Sequence, residues 1–473
     1  MGKFIKFLLI TAGSISLLVF ISSFTNKQDD MNYRKYMHQD KALKGKVGVL
    51  VTGNGQPEFY EFEYYNKYLN QIFNAAFPPI LKPVILADHG IVLLDPTHVT
   101  ASDEFKPETL MDCYGKTKNK EGVPYTELAY KWVAPRKADS PGHFLIEEKN
   151  DLVDLVEKVS AKIAGAYYPK MPGNRIPLQP QHIEIFKDVE KMLAKEFPGV
   201  PMRWAWSMYP ETVEKAVDEL IHEKVDTIVA CDIFPAYSAL EQFNTLFVEI
   251  KDAVAERAKI IYTPFQGAYP SYRTAFVAMA EDEVLKLPKQ EKKLIVLTRH
   301  GFPPTPGDPF PELARVYYNN LKKEVEQAIQ GTNTLVIYAD TDFAGEDMDP
   351  KHNRLGSFEA FEMGLEEGYD HMIFILVDFV SETTDSIFAM RYETFEKAHF
   401  AYDKQVPYAD FTKPFRSEFT EGKTRVVVAG TPVGNRYRPH IAQGVFDSIA
   451  TVLRGQPWPL LLLEEEKKKE GMF

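Results

Sequence analysis

Three stretches of the chain carry residue types able to move protons or hold a metal ion. In KKLIVLTRHGFPPTPGDPF, Lys292 to Phe310, an apolar run ends directly in Arg299, His300 and Gly301. A neutral imidazole takes a proton near neutral pH and binds borderline divalent metals, which makes His300 a candidate proton acceptor and metal ligand. In Ser381-Glu382-Thr383-Thr384-Asp385, two carboxylates three residues apart open an amphipathic segment that continues through Ile387, Phe388 and Phe395. At that spacing Glu382 and Asp385 share one helical face and can point into one space, with Ser381 as the cap. Acids in a first helical turn are also favoured by the helix dipole alone, by about 0.3–1 kcal/mol each. The third stretch, ADTDFAGEDMD, ends at Asp349 and is followed by His352. Asp340, Asp342 and Gly345 follow part of a calcium loop, but Lys351 stands at the twelfth position, where a bidentate glutamate is needed. The remaining readings are a solvated acidic loop and a metal-collecting surface.

The elements that must position these residues read as α/β. Leu294 to Leu297 suits a strand buried on both faces of a parallel sheet, and the carboxyl end of such a strand is where ligands bind in open α/β folds. After it Pro303, Pro304 and Pro306 exclude helix, Asp308 can cap one and Pro309 suits its first turn. The spacing of Leu313, Val316, Tyr317, Leu321, Val325 and Ile329 predicts an amphipathic helix running to Gly331. Lys46 to Gly53, KVGVLVTG, repeats the central strand, and VDTIVACDIFPAYS from Val225 repeats YDHMIFILVDFVSE from Tyr369. These pairs predict two similar doubly wound, Rossmann-like lobes with parallel sheets and a cleft between them, residues 46–288 and 289–455. In the first lobe a helix is expected over Phe59 to Phe77. The stretch of about 78–180, with strand-like pieces at Pro83 to Leu86 and Ile91 to Leu94 and a helix at Asp151 to Ile163, reads as an insertion. Beyond it come a helix from Ile183 to Glu196, a strand at Met202 to Trp206 and a helix from Glu211 to Glu223. Tyr237, Phe302 and Phe379 are candidate wall residues for a flat ligand, with Ser381 beside them. Residues 456–473 form a charged tail.

Composition narrows the function. The chain has 473 residues, 45% hydrophobic content and a net charge of -12, with no basic block, which speaks against a nucleic-acid surface. Cys113 and Cys231 fall outside any CxxC pattern, so neither a disulfide framework nor a zinc knuckle is expected. Phe7 to Phe24 is uncharged, preceded by Lys3 and Lys6 and followed by Asp29 and Asp30. This arrangement predicts a hydrophobic helix over residues 1–30 that anchors the chain in a membrane, with 31–45 as tether and the body extracytoplasmic; cleavage as a signal peptide is the rival reading.

LTRHG is similar to the signature of the histidine phosphatases. The fuller resemblance, over about Lys46 to Leu453 apart from the insertion, is to the ferrochelatases. TRHGFP resembles their histidine signature, Gly307-Asp308-Pro309-Phe310 their glycine-aspartate-proline-tyrosine, and FVSETTDSIF their acidic strand-to-helix motif. The resemblance implies insertion of a divalent metal, Fe²⁺ foremost, into a tetrapyrrole, with cobalt insertion as a variant and no cofactor beyond the metal substrate. It makes His300 the proton acceptor and places Asp385 on the family's catalytic glutamate and Glu382 on an aspartate, so that all three would meet the metal. Thr383 stands where the family carries a histidine. A protein that binds haem or metal without turnover is the alternative from a different class.

Overall fold

In the computed structural model, side-chain chemistry repeated 144 to 246 residues apart in the sequence shows the two lobes to be one design used twice. The structure describes residues 43, 45–59, 91–94, 110–112, 130–133, 143–146, 175–207, 209, 211–237, 247–301, 310–341, 354–383, 386–387, 395 and 412–459. In chain order these form β1 (Val47–Asn54), β2 (Ile91–Leu94), β3 (Leu110–Asp112), β4 (Tyr130–Val133), β5 (His143–Ile146), α1 (Leu178–Glu196), β6 (Met202–Ser207), α2 (Thr212–His222), β7 (Thr227–Asp232), α3 (Phe247–Val254) and β8 (Lys259–Tyr262). They continue with α4 (Pro270–Val284), β9 (Lys293–Arg299), α5 (Phe310–Ala328), β10 (Thr334–Asp340), α6 (Ser357–Glu366), β11 (His371–Leu376), β12 (Ser417–Glu421), β13 (Thr424–Val428) and α7 (Arg438–Leu453).

The first sheet has the order β6-β1-β7-β8, all parallel, and the second has β10-β9-β11-β13-β12, parallel except for the edge strand β12. In each, the first strand of the lobe lies between the second and the third. The entry to each lobe is built identically. The Lys46 amide donates to Asp226 Oδ2 at 2.7 Å and its Nζ to the Glu223 carbonyl at 2.8 Å; the Lys292 amide donates to Asp370 Oδ2 at 2.7 Å and its Nζ to the Glu367 carbonyl at 2.8 Å. At the far end, the Ile233 amide donates to the Thr52 carbonyl and the Val377 amide to the Thr298 carbonyl. The expected pair of lobes is present, and the described residues within 45–56, 177–207 and 211–459 form one compact unit containing both sheets.

The unit is tied together by α7, which follows the second sheet in sequence yet packs on α1, α4 and β7 of the first lobe. Gly444 makes that approach possible, since a Cβ there would meet Tyr272 Cβ at 2.5 Å. Tyr269 donates to Thr451 Oγ1 at 2.6 Å and Ser271 to Asp447. On α4 the buried Arg273 holds Glu324 of α5 through Nε and Nη2 and gives Nη1 to the carbonyls of Gly267 and Ala268.

Three expectations need correction. Helix α1 starts at Leu178, five residues before the expected Ile183, because Pro180 lies in the first turn, where its missing N–H breaks no helical bond. The charged tail begins later than 456, because Trp458 is 1% exposed and packs against Tyr237. Asp340 is no solvated loop residue; it closes β10, 2% exposed, in an ion pair with Arg299.

Within the insertion, β2 to β5 form a four-stranded antiparallel sheet in the order β3-β2-β5-β4, including the expected strand Ile91–Leu94. Nearly all of the helix expected over Phe59 to Phe77, together with the strand at Pro83 to Leu86, the helix at Asp151 to Ile163 and the hydrophobic run Phe7 to Phe24, lies outside the described residues. Among the described residues no helix is long and apolar enough to cross a membrane.

Candidate active site

His300 stands one residue beyond β9, the strand flanked by β10 on one side and β11 on the other. The chain leaves β9 toward β10 and crosses back to β11, so the carboxyl ends of β9 and β11 bound the topological switch point of this sheet, the place where ligands bind in doubly wound folds. The side chains at that point are well ordered by their neighbours. His300 is half-buried, and its Nδ1 is 3.0 Å from the carbonyl oxygen of Gly301. A carbonyl can only accept, so Nδ1 carries the proton, and in the neutral ring Nε2 is the basic nitrogen. Gly301 has φ +94°, a left-handed conformation that a side chain would strain. The ring of Phe379 meets the imidazole edge to face, with centroids 6.0 Å apart and planes at 64°.

Beneath the histidine lies a buried polar layer that the sequence did not announce. Asp378, 5% exposed, accepts the His300 backbone N–H at 3.0 Å through Oδ2. The Tyr318 hydroxyl lies 3.0 Å from both oxygens of the same carboxylate. Burial pushes the Asp378 carboxyl up to about 7 against the opposing pull of Arg299, the Tyr318 hydroxyl and the His300 amide. Burial likewise raises Asp340, although the Arg299 guanidinium beside it favours the charged form. Arg299 lies over the rings of Tyr318 and Tyr338, at 5.0 and 5.2 Å, and the Tyr338 hydroxyl donates to the Tyr318 carbonyl.

The other expected site residues fall in different places. Glu382 is fully buried. Its Oε1 accepts the backbone N–H groups of Thr431 at 3.0 Å and Phe415 at 3.3 Å, and its Oε2 accepts the Ser386 hydroxyl at 2.7 Å. Its own amide donates to Gln181 Oε1 of the first lobe at 2.8 Å. The Glu382 side chain is turned inward, where it satisfies backbone donors of two neighbouring loops; the expected sharing of one space with Asp385 falls partly outside the described residues. Gly430, φ +82°, allows that approach, since a Cβ there would come within 3.0 Å of Glu382 Oε1. Ser381 is 1% exposed, and among the described residues its hydroxyl has no hydrogen-bond partner. Tyr237 is no wall residue. It is fully buried between Phe247, Phe265 and Trp458, with its hydroxyl 3.4 Å from Thr263 Oγ1, and burial holds that hydroxyl well above the usual tyrosine range. Asp385 and Phe302 lie outside the described residues, as does the acidic loop from Asp342 onward. Among the described residues no three His, Cys, Asp or Glu side chains are grouped to hold a metal ion.

Fold and site thus define a two-lobed α/β protein with a half-buried histidine at the switch point of its second sheet. Residues 149–347, which include His300, match the model of the family Ferrochelatase. Ferrochelatases of Escherichia coli, from strains S88 and ED1a, are 28% identical to the chain over 143 residues, 29% of this chain and 44% of the relative. The chain spans less than half the length of the curated relatives it matches. Over residues 149–347 the chain is thus similar to the ferrochelatases. Similar solved structures include SirB from Bacillus subtilis with Fe³⁺, at 12% identity and TM-score 0.38 over 58% of this chain and 90% of that one. CbiX, described as the terminal enzyme for siroheme biosynthesis in denitrifying bacteria, gives 14% identity and TM-score 0.34 over 57% and 93%.

Proposed function

We propose that the protein inserts a divalent metal, Fe²⁺ foremost, into a tetrapyrrole. The observation that carries this reading is the state of His300: Nδ1 is committed to the Gly301 carbonyl, so Nε2 is the basic nitrogen, at the switch point and within the region matched to the ferrochelatases. Metal insertion expels two pyrrole protons, and a positioned base that takes one of them is worth about 10²-fold or more in rate. Phe379, which packs on the imidazole, and Phe302, which follows it in the chain, supply apolar surface for a flat ring. Asp385 is the carboxylate we assign to escort the metal or pass on the second proton, since carboxylate and imidazole both suit Fe²⁺.

The test is anaerobic mixing of the full chain with protoporphyrin and Fe²⁺, followed by absorption spectroscopy. Turnover in the parent and a fall of about 10²-fold in His300→Ala are expected. A spectral shift on ring binding without turnover would instead establish a binding protein, the second reading. That reading draws support from Glu382, whose carboxylate is spent on loop backbone. Turnover that survives His300→Ala would remove the histidine from the mechanism.

We also propose that Phe7 to Phe24 anchors the chain in a membrane with the body on the extracytoplasmic side. The protein is then expected to sediment with membranes and to resist a salt wash. Release by salt, with an amino terminus beginning after Ser23, would show cleavage instead.

A further inference from the structure

We propose that Asp378 and Tyr318 are positioning residues that hold His300 in its proton-accepting orientation; this rests on the role assigned to His300 above. The backbone of His300 is gripped from both sides. Its N–H donates to Asp378 Oδ2 at 3.0 Å, and the Thr341 hydroxyl is shared between the Arg299 carbonyl at 3.0 Å and the His300 carbonyl at 3.4 Å. Thr341 is itself fixed, with its amide donating to the Arg299 carbonyl at 2.9 Å. Asp378 is clamped in turn by the Tyr318 hydroxyl, 3.0 Å from each oxygen, and Tyr318 is 3% exposed on α5. The next residue after Asp378, Phe379, packs against the imidazole. One short segment therefore fixes both the backbone and the ring of the histidine.

The chemistry argues that this is a use and not an accident of packing. A carboxyl group 5% exposed gives up its hydration, which a leucine at the same place would not. What a leucine lacks is an acceptor for the His300 N–H. With that amide fixed, the chain turns at Gly301 so that the Gly301 carbonyl faces Nδ1 at 3.0 Å. The acceptor beneath the backbone thereby selects the tautomer above it. Without it, the amide lacks its partner, the turn relaxes, and the proton is no longer confined to Nδ1.

The experiment uses the full chain labelled with ¹⁵N-histidine. The His300 ring signals are assigned by their absence in His300→Ala. In the parent, the shifts should report a proton on Nδ1. Asp378→Asn keeps a side-chain oxygen for the His300 N–H and should keep this tautomer. Asp378→Ala should move the ring toward a mixture with Nε2–H, and Tyr318→Phe, the milder variant should Asp378→Ala fail to fold, should move it the same way by less. Where insertion is measured, kcat should fall about tenfold in Asp378→Ala with KM for the ring within about twofold, and Asp378→Asn should restore it. An unchanged His300 tautomer in folded Asp378→Ala or Tyr318→Phe overturns the inference, and so does an equal loss of kcat in Asp378→Asn and Asp378→Ala. Absence of insertion in the parent counts against the chelatase reading alone, and the tautomer measurement then still decides the positioning role.

Discussion

Glu382→Ala is expected to destabilise the fold by about 3–5 kcal/mol, because it strands the backbone N–H groups of Thr431 and Phe415, each worth roughly 1–3 kcal/mol when left buried without an acceptor. The Ser386 hydroxyl loses its carboxylate as well, but it lies 3.3 Å from the Thr383 carbonyl and can turn to it. Glu382→Gln preserves one oxygen for the two amides and should cost much less, about 1 kcal/mol. Urea unfolding of the three proteins measures the difference. The comparison also separates two roles for this residue. A metal ligand would show the opposite ranking of effects, with Glu382→Gln raising KM for Fe²⁺ while leaving the unfolding midpoint in place. A loop anchor leaves KM for the metal unchanged in Glu382→Gln and shows its loss in the alanine midpoint.

The inward turn of Glu382 redistributes the chemistry expected of the acidic motif. Of the two acids expected on one helical face, Glu382 holds the loops after β13 and before β12 through its carboxylate and the start of α1 through its backbone N–H, which donates to Gln181. It links the lobes. In the proposed function, proton acceptance stays with His300 and the metal-side role is assigned to Asp385. The departure at Thr383 fits this arrangement: its hydroxyl accepts the Ser386 N–H at 3.0 Å and its own N–H donates to Ser386 Oγ at 2.8 Å, a local turn that holds Ser386 against Glu382. A histidine there could not reproduce the hydroxyl's short reach.

Much of the frame was legible because it rests on local signals. Apolar runs ending in Gly or His mark β1 and β9, and the Lys-to-Asp entry of each lobe lies in segments whose likeness is visible by eye. His300 was legible for the same reason, as a polar turn after a buried strand. What the sequence hid depends on partners far along the chain. Asp378 looks like any polar residue ending a strand until Tyr318, sixty positions upstream, is folded beneath it. Glu382 reads as a helix-start acid until Phe415 and Thr431 arrive, 33 and 49 residues later. Tyr237 follows a strand end as a wall residue should, but Trp458, from the segment read as a tail, closes over it. Pro180 read as a boundary because its tolerance in a first turn depends on where the helix starts. Periodicity records which face is buried; it does not record what comes to bury it.

The same logic predicts a marked loss of stability in mild acid, traceable to one residue. His182 on α1 is 3% exposed, stacks on Trp206 with centroids 5.9 Å apart and planes at 14°, and among the described residues has no hydrogen-bond partner at Nδ1. The fit is tight: a Cβ at Gly53 would lie 2.7 Å from that nitrogen. Burial lowers its pKa from 6.5 to about 3, since the apolar pocket offers nothing to stabilise the imidazolium. The folded-state value is depressed, so the stability this neutral histidine provides is fully present above pH 6.5. It is lost as pH falls toward 3, because the unfolded chain takes up a proton that the native one refuses. The penalty reaches about 2 kcal/mol at pH 5 and roughly 4 kcal/mol or more near pH 3. Unfolding free energies of the parent and His182→Leu, measured at pH 7 and pH 5, isolate the effect. The substitution should cost stability at pH 7 and recover about 2 kcal/mol of that difference at pH 5. Parallel pH dependences in the two proteins would mean that His182 is protonated in the native state, and that α1 shifts to let water reach the end of β1.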